Sequence, residues 1–272
     1  MKSLVLITGA TGGLGKAFAA ECAQRGWDLF LTDLSEERLK SLAGGLTNAY
    51  GVNVIYLPCD LTDTASRTKL IENIKNRGLC FWALINVAGI DYEGYFADRT
   101  VEQIRTILSL NIESTVEMTR AMVDFRDRSK TFRLITVSSM AAYYPMPVKA
   151  LYAASKRFLL DFSLAFREEI RHLGGTVTVL CPSGMPTTEL TIKAIDAQGF
   201  WGYITTSDVG YVASHTIDYA LKGRAVYVPG GINRFIRFMG NLVPPTLVSR
   251  IIGWRWALAY QKSHADCSKE MI

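Results

Sequence analysis

The sequence predicts an α/β domain of the doubly wound, Rossmann-like kind: a parallel sheet of about seven strands with helices on both faces. Short β-branched, apolar runs recur along the chain, segments of helical spacing separate them, and the first run enters a glycine cluster that opens directly into a helix. Strands buried on both faces read as continuous apolar runs rather than alternating ones. A regular strand-helix alternation then implies parallel pairing through right-handed crossovers.

The strand-like runs are Leu4–Thr8, Leu29–Thr32, Val54–Leu57, Ala83–Asn86, Leu134–Val137, Val177–Leu180 and Ala225–Val228. Helical spacing fills Gly13–Arg25, Ser35–Tyr50, Thr64–Asn76, Val101–Arg126, Ala150–His172 and Ser207–Lys222. With 272 residues, 49% of them apolar, a single domain over 1–272 is expected. Two segments stand apart from the alternation. Residues 187–203 hold Leu190, Ile192, Ile195, Phe200 and Trp201 and read either as a substrate lid or as a packed helix pair. Residues 231–272 form a C-terminal helical appendage, rich in Phe238, Met239, Leu242, Val243, Ile251, Ile252, Trp254 and Trp256 and punctuated by Arg234, Arg237, Arg250 and Arg255. Pro244-Pro245 divides it into two short helices, which can pack on the domain, pack on another subunit or lie in a membrane interface.

Composition removes several function classes. A net charge of +5 without a Lys/Arg run or basic-aromatic block gives no reason to expect nucleic acid as a partner. The five cysteines, Cys22, Cys59, Cys80, Cys181 and Cys267, are odd in number and widely spaced, and with three histidines they form no ligand-like cluster. Neither a disulfide framework nor a metal site is expected. No run of about 18 uncharged apolar residues offers a membrane span. The first strand begins at Ser3 with no secretory leader before it, so a reducing cytoplasm is expected, with membrane association if the C-terminal helices bind lipid.

Two local patterns carry chemistry. Thr8-Gly-Ala-Thr-Gly-Gly-Leu-Gly15 lies between strand and helix, and Gly9, Gly13 and Gly15 let the backbone turn tightly and let a pyrophosphate approach the helix N-terminus. Asp33 follows eighteen residues after Gly15, at the end of the second strand, where a carboxylate accepts both hydroxyls of an adenosine ribose and repels the extra phosphate of NADP. Leu34, and no arginine, comes next, which favours NAD over NADP; the alternatives are that Asp33 caps the following helix, or that Lys16 serves the phosphate. The second pattern is Tyr152 and Lys156, four apart on one helical face. A cation near a phenol favours its ionised form, so the pair suits acid/base work near neutral pH.

With these residues in order, the chain resembles the short-chain dehydrogenase/reductase family in its shorter branch, the one marked by TGxxxGxG and YxxxK motifs. The similarity spans nearly the whole chain. Cys59-Asp60-Leu61 resembles the acidic turn beside the adenine, and Asn86-Val-Ala-Gly89 resembles the Asn-Asn-Ala-Gly motif with Val87 in place of its second Asn. Asn111 falls where the family has a helical catalytic asparagine. Ser139 precedes Tyr152 by thirteen residues, the family's spacing, which selects it over Ser138 as the catalytic serine. The resemblance implies hydride transfer between NAD and a carbinol carbon, with Tyr152 as general acid/base, Lys156 holding the nicotinamide ribose and lowering the tyrosine pKa, Ser139 holding the substrate oxygen and Asn111 keeping a relay water in place. It implies cofactor contacts at Gly9, Thr11, Gly13, Leu14, Gly15, Asp33, Asp60, Leu61, Asn86, Ala88, Gly89, Tyr152, Lys156, Pro182, Met185 and Thr187. It also implies a homo-dimer or homo-tetramer through the helices bearing Asn111 and Tyr152.

The substrate positions expected from this frame are Ser139, Met140, Tyr144, Met146, Tyr152 and Met185, with Tyr143 and Val148 alongside. They are largely apolar and contain no arginine, so a hydrophobic alcohol or ketone, steroid-like or long-chain, is the expected class. The competing readings are an NADP-dependent carbonyl reductase and a catalytically silent dinucleotide sensor.

Overall fold

The structure, a computed structural model, describes residues 3–186, 205–240 and 242–254. Seven strands form one parallel sheet: β1 Leu4–Thr8, β2 Leu29–Asp33, β3 Val54–Pro58, β4 Phe81–Asn86, β5 Phe132–Val137, β6 Gly175–Leu180 and β7 Val226–Tyr227. Their spatial order is β3-β2-β1-β4-β5-β6-β7. The chain builds outward from β1 to β3 and then crosses back to β4, so the β1/β4 boundary is a topological switch point, where open α/β sheets place their ligands.

The helices are α1 Gly13–Gln24, α2 Glu36–Tyr50, α3 Thr64–Asn76, α4 Val101–Ile107, α5 Ser114–Asp124, α6 Ala150–Ile170, α7 Val209–Leu221 and α8 Gly231–Gly240, and residues 245–254 are helical as well. Strand alternation divides the core. Val5 and Ile7 of β1 point to the face covered by α1, α2 and α7, against Phe18, Leu39 and Val212. Leu4 and Leu6 point to the other face, against Leu70 of α3, Met118 of α5 and Ile170 of α6. All five residues of β1 are buried, the physical reason its sequence is an unbroken apolar run. β3, paired on one side only, is half-exposed along most of its length.

Several elements differ from the sequence expectation, β6 among them, which begins two residues earlier at Gly175. β4 and β5 begin two residues earlier, at Phe81 and Phe132, both fully buried. Arg133 hides this start from a hydropathy reading, and its charge is accommodated because Nη1 donates to the carbonyl of Ala220 at 2.6 Å. The helix expected over Val101–Arg126 is broken: between α4 and α5 the segment Leu108–Glu113 is a π turn. The hydroxyl of Ser114, just after it, donates to the Leu110 carbonyl at 2.6 Å, and Asn111 within it is drawn fully into the interior. The last strand shortens to two residues before Pro229. The expected division of the C-terminal segment at Pro244-Pro245 is present between α8 and 245–254, whereas the 187–203 segment and the part of the appendage beyond 254 lie outside the described residues. Among the described residues no helix is long and apolar enough to cross a membrane.

Phe81 packs edge-on against Phe30 with ring centroids 5.9 Å apart. Phe81→Ala is expected to lower the free energy of unfolding by about 3–5 kcal/mol, the usual cost of emptying a buried aromatic site; urea titration of the two proteins measures it.

Candidate active site

Because the sheet is parallel, β1, β4, β5 and β6 all release the chain at one edge, and Gly9, Val87, Ser138 and Cys181 are the residues that follow. The first of these segments is the glycine turn. Gly9 has φ +63°, and a Cβ there would sit 2.8 Å from the backbone of Ala88. A Cβ on Gly15 would run into the Gly9 carbonyl oxygen. The two glycines therefore let α1 start close against the end of β4. Thr8 seals the approach, its hydroxyl accepting from the amides of Val87 at 3.1 Å and Ala88 at 3.4 Å.

The start of α1 differs from four of the other helix starts and shares its lack of a side-chain cap with α5 and α6. α2, α3, α4 and α7 are capped by Ser35, Asp63, Thr100 and Asp208, each accepting a backbone amide. α1 begins after Gly12 with no side-chain cap and no acidic residue in its first turn. The first-turn amides of Gly13, Leu14 and Gly15, with the positive end of the helix dipole, suit a pyrophosphate. Leu14 is buried, so its side chain belongs to the core and only its backbone can face a cofactor.

Asp33 stands at the end of β2 beside this turn. Its Oδ2 accepts from the Thr11 amide at 2.8 Å and hydroxyl at 2.7 Å, and its Oδ1 from the Leu34 amide at 2.7 Å. It does not cap α2, since Ser35 does. Asp60 is exposed and holds Thr62 at 2.6 Å, while the buried Leu61 gives its carbonyl to Arg67 at 2.8 Å. Asn86 is buried, with Nδ2 donating to Thr119 at 3.0 Å and Oδ1 left without a partner. Val87 packs against the core, as its replacement of an amide side chain suggests.

The four expected catalytic residues arrive from three elements. Lys156 of α6 is 4% exposed, and Nζ donates to the Val137 carbonyl at 3.0 Å. Burial pushes its pKa down to about 8, against a smaller opposing pull from Asp91. The same Nζ lies 5.7 Å from the centroid of the Tyr152 ring. A Cβ on Gly89 would meet Lys156 Nζ at 3.1 Å and Asn111 Oδ1 at 3.2 Å, so this glycine keeps open the space between them. Asn111 Oδ1 accepts from the Ile90 amide at 2.8 Å, and Nδ2 donates to the Ile90 carbonyl and to Ser155 Oγ, each at 3.0 Å. Its side chain thus pins the loop after β4 to α6, with both Nδ2 donors used in doing so. Ser138 donates to the Lys156 carbonyl at 2.7 Å, a structural bond, while Ser139 Oγ accepts from the Ala141 amide at 3.1 Å and acts to lower the Tyr152 pKa.

The phenol of Tyr152 differs from the expected near-neutral acid. Its pKa is raised, chiefly by burial and next by the negative charge of Asp91, with Ser139 and Lys149 acting in the opposite sense. Loss of water around the phenolate outweighs the nearby cations.

Lys149 is a residue beside Tyr152 that the sequence reading missed. Nζ lies 5.9 Å from the Tyr152 ring centroid, on ion pairs to Asp91 at 2.7 Å and Glu93 at 3.0 Å. Its three-residue spacing from Tyr152 was the available signal. Val148 before it is buried with φ +70°, a strained conformation for a β-branched residue. Arg99 was missed too; it lines a small cleft with Tyr92, Phe96, Ile107, Val148, Lys149, Leu151 and Tyr152, and its Nη2 is buried without a hydrogen-bond partner.

The expected substrate positions are less open than their sequence suggests. Met140 packs against the small cluster around Leu160 and Val228, and its amide is tied to the Pro182 carbonyl at 2.8 Å. Tyr144 donates to the Ile236 carbonyl of α8 at 2.6 Å, and Arg237 of the same helix lies 4.6 Å from the Tyr143 ring centroid. Met146 is half-buried, Met185 packs on the core, and Thr187 lies outside the described residues.

Sheet order, switch point and glycine turn define a Rossmann-type dinucleotide-binding domain. The chain belongs to the short-chain dehydrogenase family, whose model matches residues 3–198, a family of oxidoreductases that act on alcohol and keto groups with NAD(P). A very-long-chain 3-oxoacyl-CoA reductase of Anas platyrhynchos is 34% identical over 187 residues, which are 65% of this chain and 58% of the relative. The ketoacyl reductase HetN of a Nostoc species is 25% identical over 269 residues, 96% of this chain and 92% of its own. The 17-beta-hydroxysteroid dehydrogenase type 3 of Homo sapiens is 29% identical over 192 residues, 69% of this chain and 60% of the relative. The chain therefore spans little more than half the length of the first and third of these. A solved short-chain dehydrogenase from Sphingobium yanoikuyae, in complex with NADPH, matches with a TM-score of 0.72 at 25% identity over 88% of this chain and 93% of that one.

Proposed function

We propose that this protein is an NAD-dependent oxidoreductase that interconverts a secondary alcohol and a ketone on a hydrophobic substrate, with Tyr152 as general acid/base. The observation that carries the reading is the convergence of Ser139, Tyr152 and the buried Lys156 at the sheet edge where the uncapped start of α1 also lies. The residues present fit the cofactor: a glycine turn that a Cβ on Gly9 or Gly15 would obstruct, free first-turn amides, and a carboxylate at the ribose end of the site. When bound, NAD supplies the hydride donor or acceptor and, oxidised, a positive ring.

The chain's own groups handle the oxygen. Ser139 holds the substrate oxygen and Tyr152 delivers or removes its proton. The raised phenol pKa keeps that proton available for ketone reduction, and alcohol oxidation needs added positive charge to release it. Lys156 holds the nicotinamide ribose. Asn111 fixes the loop after β4, within a π turn of the sort that concentrates at functional sites, and keeps the relay water in place. Asp33 supports NAD over NADP, because a fixed carboxylate repels a ribose phosphate. Apolar contacts for such a substrate are offered by Tyr92, Phe96, Ile107, Val148 and Leu151 in the small cleft beside Tyr152, which Arg99 and Lys149 also line. The substrates named for two relatives, a very-long-chain 3-oxoacyl-CoA and a 17-beta-hydroxysteroid, point the same way. A homo-oligomer through α6 is supported by Phe158, Phe162 and Phe166, stacked along that helix at 6.0 and 5.7 Å with Phe158 exposed. A cytoplasmic protein fits this reading.

Tyr152→Phe is expected to reduce turnover by at least about a hundredfold while NADH binding, followed by fluorescence titration, stays measurable. Activity retained in that variant, or cofactor binding with no redox change across a panel of alcohols and ketones, would support the silent sensor instead. For alcohol oxidation the rate rises with ionisation of the phenol. Lys149→Met, which removes a charge that lowers the Tyr152 pKa, is expected to move the acid limb of the pH–rate profile to higher pH, and Asp91→Asn to move it to lower pH. Asp33→Ala is expected to shift the ratio of kcat/KM for NADP over NAD upward by about tenfold or more; an unchanged ratio would remove Asp33 as the selector.

A further inference from the structure

We infer that α8 and the helix at 245–254 dock the protein on the surface of an anionic lipid bilayer, with their apolar faces in the boundary between headgroups and acyl chains. The observation behind this is that α8 is inverted. Its one buried residue is Asn233, whose amide nitrogen donates to Ser183 Oγ at 3.0 Å, the Thr205 carbonyl at 3.0 Å and the Pro229 carbonyl at 2.9 Å. Arg237, one turn on, lies over Tyr143. Turned outward instead are Ile232, Phe235, Phe238 and Met239, with the two phenylalanines 62% and 63% exposed. A helix on a water-facing domain places its apolar stripe inward; α8 does the reverse.

The same pattern recurs after the prolines. Leu247, Ile251 and Trp254 lie at i, i+4 and i+7, one face of the helix, and all three are exposed, Trp254 by 70%. Charge separates lipid from other occupants of these faces. Residues 231–254 contain Arg234, Arg237 and Arg250 and no aspartate or glutamate. Exposed aromatic and aliphatic side chains interleaved with arginine alone are the composition of an interfacial helix, in which the apolar groups enter the bilayer and the guanidinium groups reach anionic headgroups. A second copy of this chain on the same face would bring arginines against arginines.

Both helices are seated on the rim of the candidate active site. Tyr144 donates to the Ile236 carbonyl at 2.6 Å, and a Cβ on Gly240 would run into the Tyr144 ring. A Cβ on Gly253 would meet Pro147 Cγ at 3.0 Å. Tyr144 and Pro147 belong to the connection between Ser139 and Tyr152. Docking therefore sets that rim against the bilayer, and a hydrophobic substrate can enter from lipid. The docking stands on the helices alone, whereas this route of entry rests on the proposed activity.

The test is co-sedimentation of the full-length protein with phosphatidylcholine vesicles, with and without phosphatidylserine, alongside a vesicle-free control. The wild type is expected to pellet with the anionic vesicles and to be released by salt. Phe235→Gln combined with Trp254→Gln, both at exposed positions, is expected to weaken binding about tenfold or more. Arg234→Gln with Arg250→Gln is expected to weaken it by roughly fivefold per charge. Wild-type protein that stays in the supernatant with both vesicle types overturns the inference, and so does an apolar double variant that pellets like the wild type. A third contrary result is an apolar variant that changes the sedimentation-equilibrium mass and not vesicle binding, which would make the face a subunit interface. Failure of the redox assay in solution leaves each of these outcomes readable, so the two proposals fail separately.

Discussion

Lys156 brings an ammonium group to a position 4% exposed to water, where its first hydrogen-bond partner is the carbonyl of Val137 at the end of β5. An amine in such surroundings loses hydration that one carbonyl does not replace, and its pKa falls from 10.5 to about 8. Much of the local architecture holds that group in place. Gly89 has no side chain because a Cβ would press on Nζ, Ser138 bonds the Lys156 backbone, and Asn111 ties α6 to the loop from β4 through Ser155. Oxygen acceptors that come within reach of the buried ammonium offset the hydration it has lost. On the proposed reading, ribose hydroxyls are such acceptors, and ligand binding completes the site.

A second set of charges surrounds Tyr152 from the solvent side. Lys149 is held by two carboxylates, Asp91 and Glu93, and is delivered by a strained residue, Val148, whose conformation costs on the order of 1–3 kcal/mol. The surrounding packing offsets that strain, because Val148 is buried and its carbonyl accepts from the Gly94 amide at 2.9 Å. The arrangement opposes cation and anion beside one phenol: Asp91 pushes its pKa up and Lys149 pulls it down. The proton affinity of Tyr152 is therefore set by more than the helical neighbour four residues away. A change at either end of the Lys149–Asp91 pair is felt at the hydroxyl.

How far the sequence revealed this structure depends on what each signal measures. The inner strands were visible because burial on both faces leaves apolar runs with few interruptions, and the glycine turn was visible because close backbone approach excludes every other residue at Gly9 and Gly15. The π turn around Asn111 was not visible, since one extra residue in a helical register leaves the apolar spacing on either side nearly unchanged. Lys149 was hidden for another reason. Its partners Asp91 and Glu93 are 58 and 56 residues away in the chain, joined to it only by the fold. α8 shows a third limit. Its apolar periodicity was plain, but periodicity marks a stripe without saying whether the stripe faces the domain, and the bonds of Asn233 decided that.

On the proposed reading, Asp33 connects cofactor choice to the glycine turn itself. A carboxylate has about four acceptor positions, and three are taken by Thr11 and Leu34. A grip on both ribose hydroxyls then requires the Thr11 hydroxyl to rotate away, while the two backbone amides, which cannot rotate, keep the carboxylate where it is. Those amides make the negative charge a fixed part of the turn. On the proposed reading an incoming ribose phosphate cannot displace Asp33 by a change of side-chain rotamer, and the selection against NADP is built into the same backbone that receives the pyrophosphate.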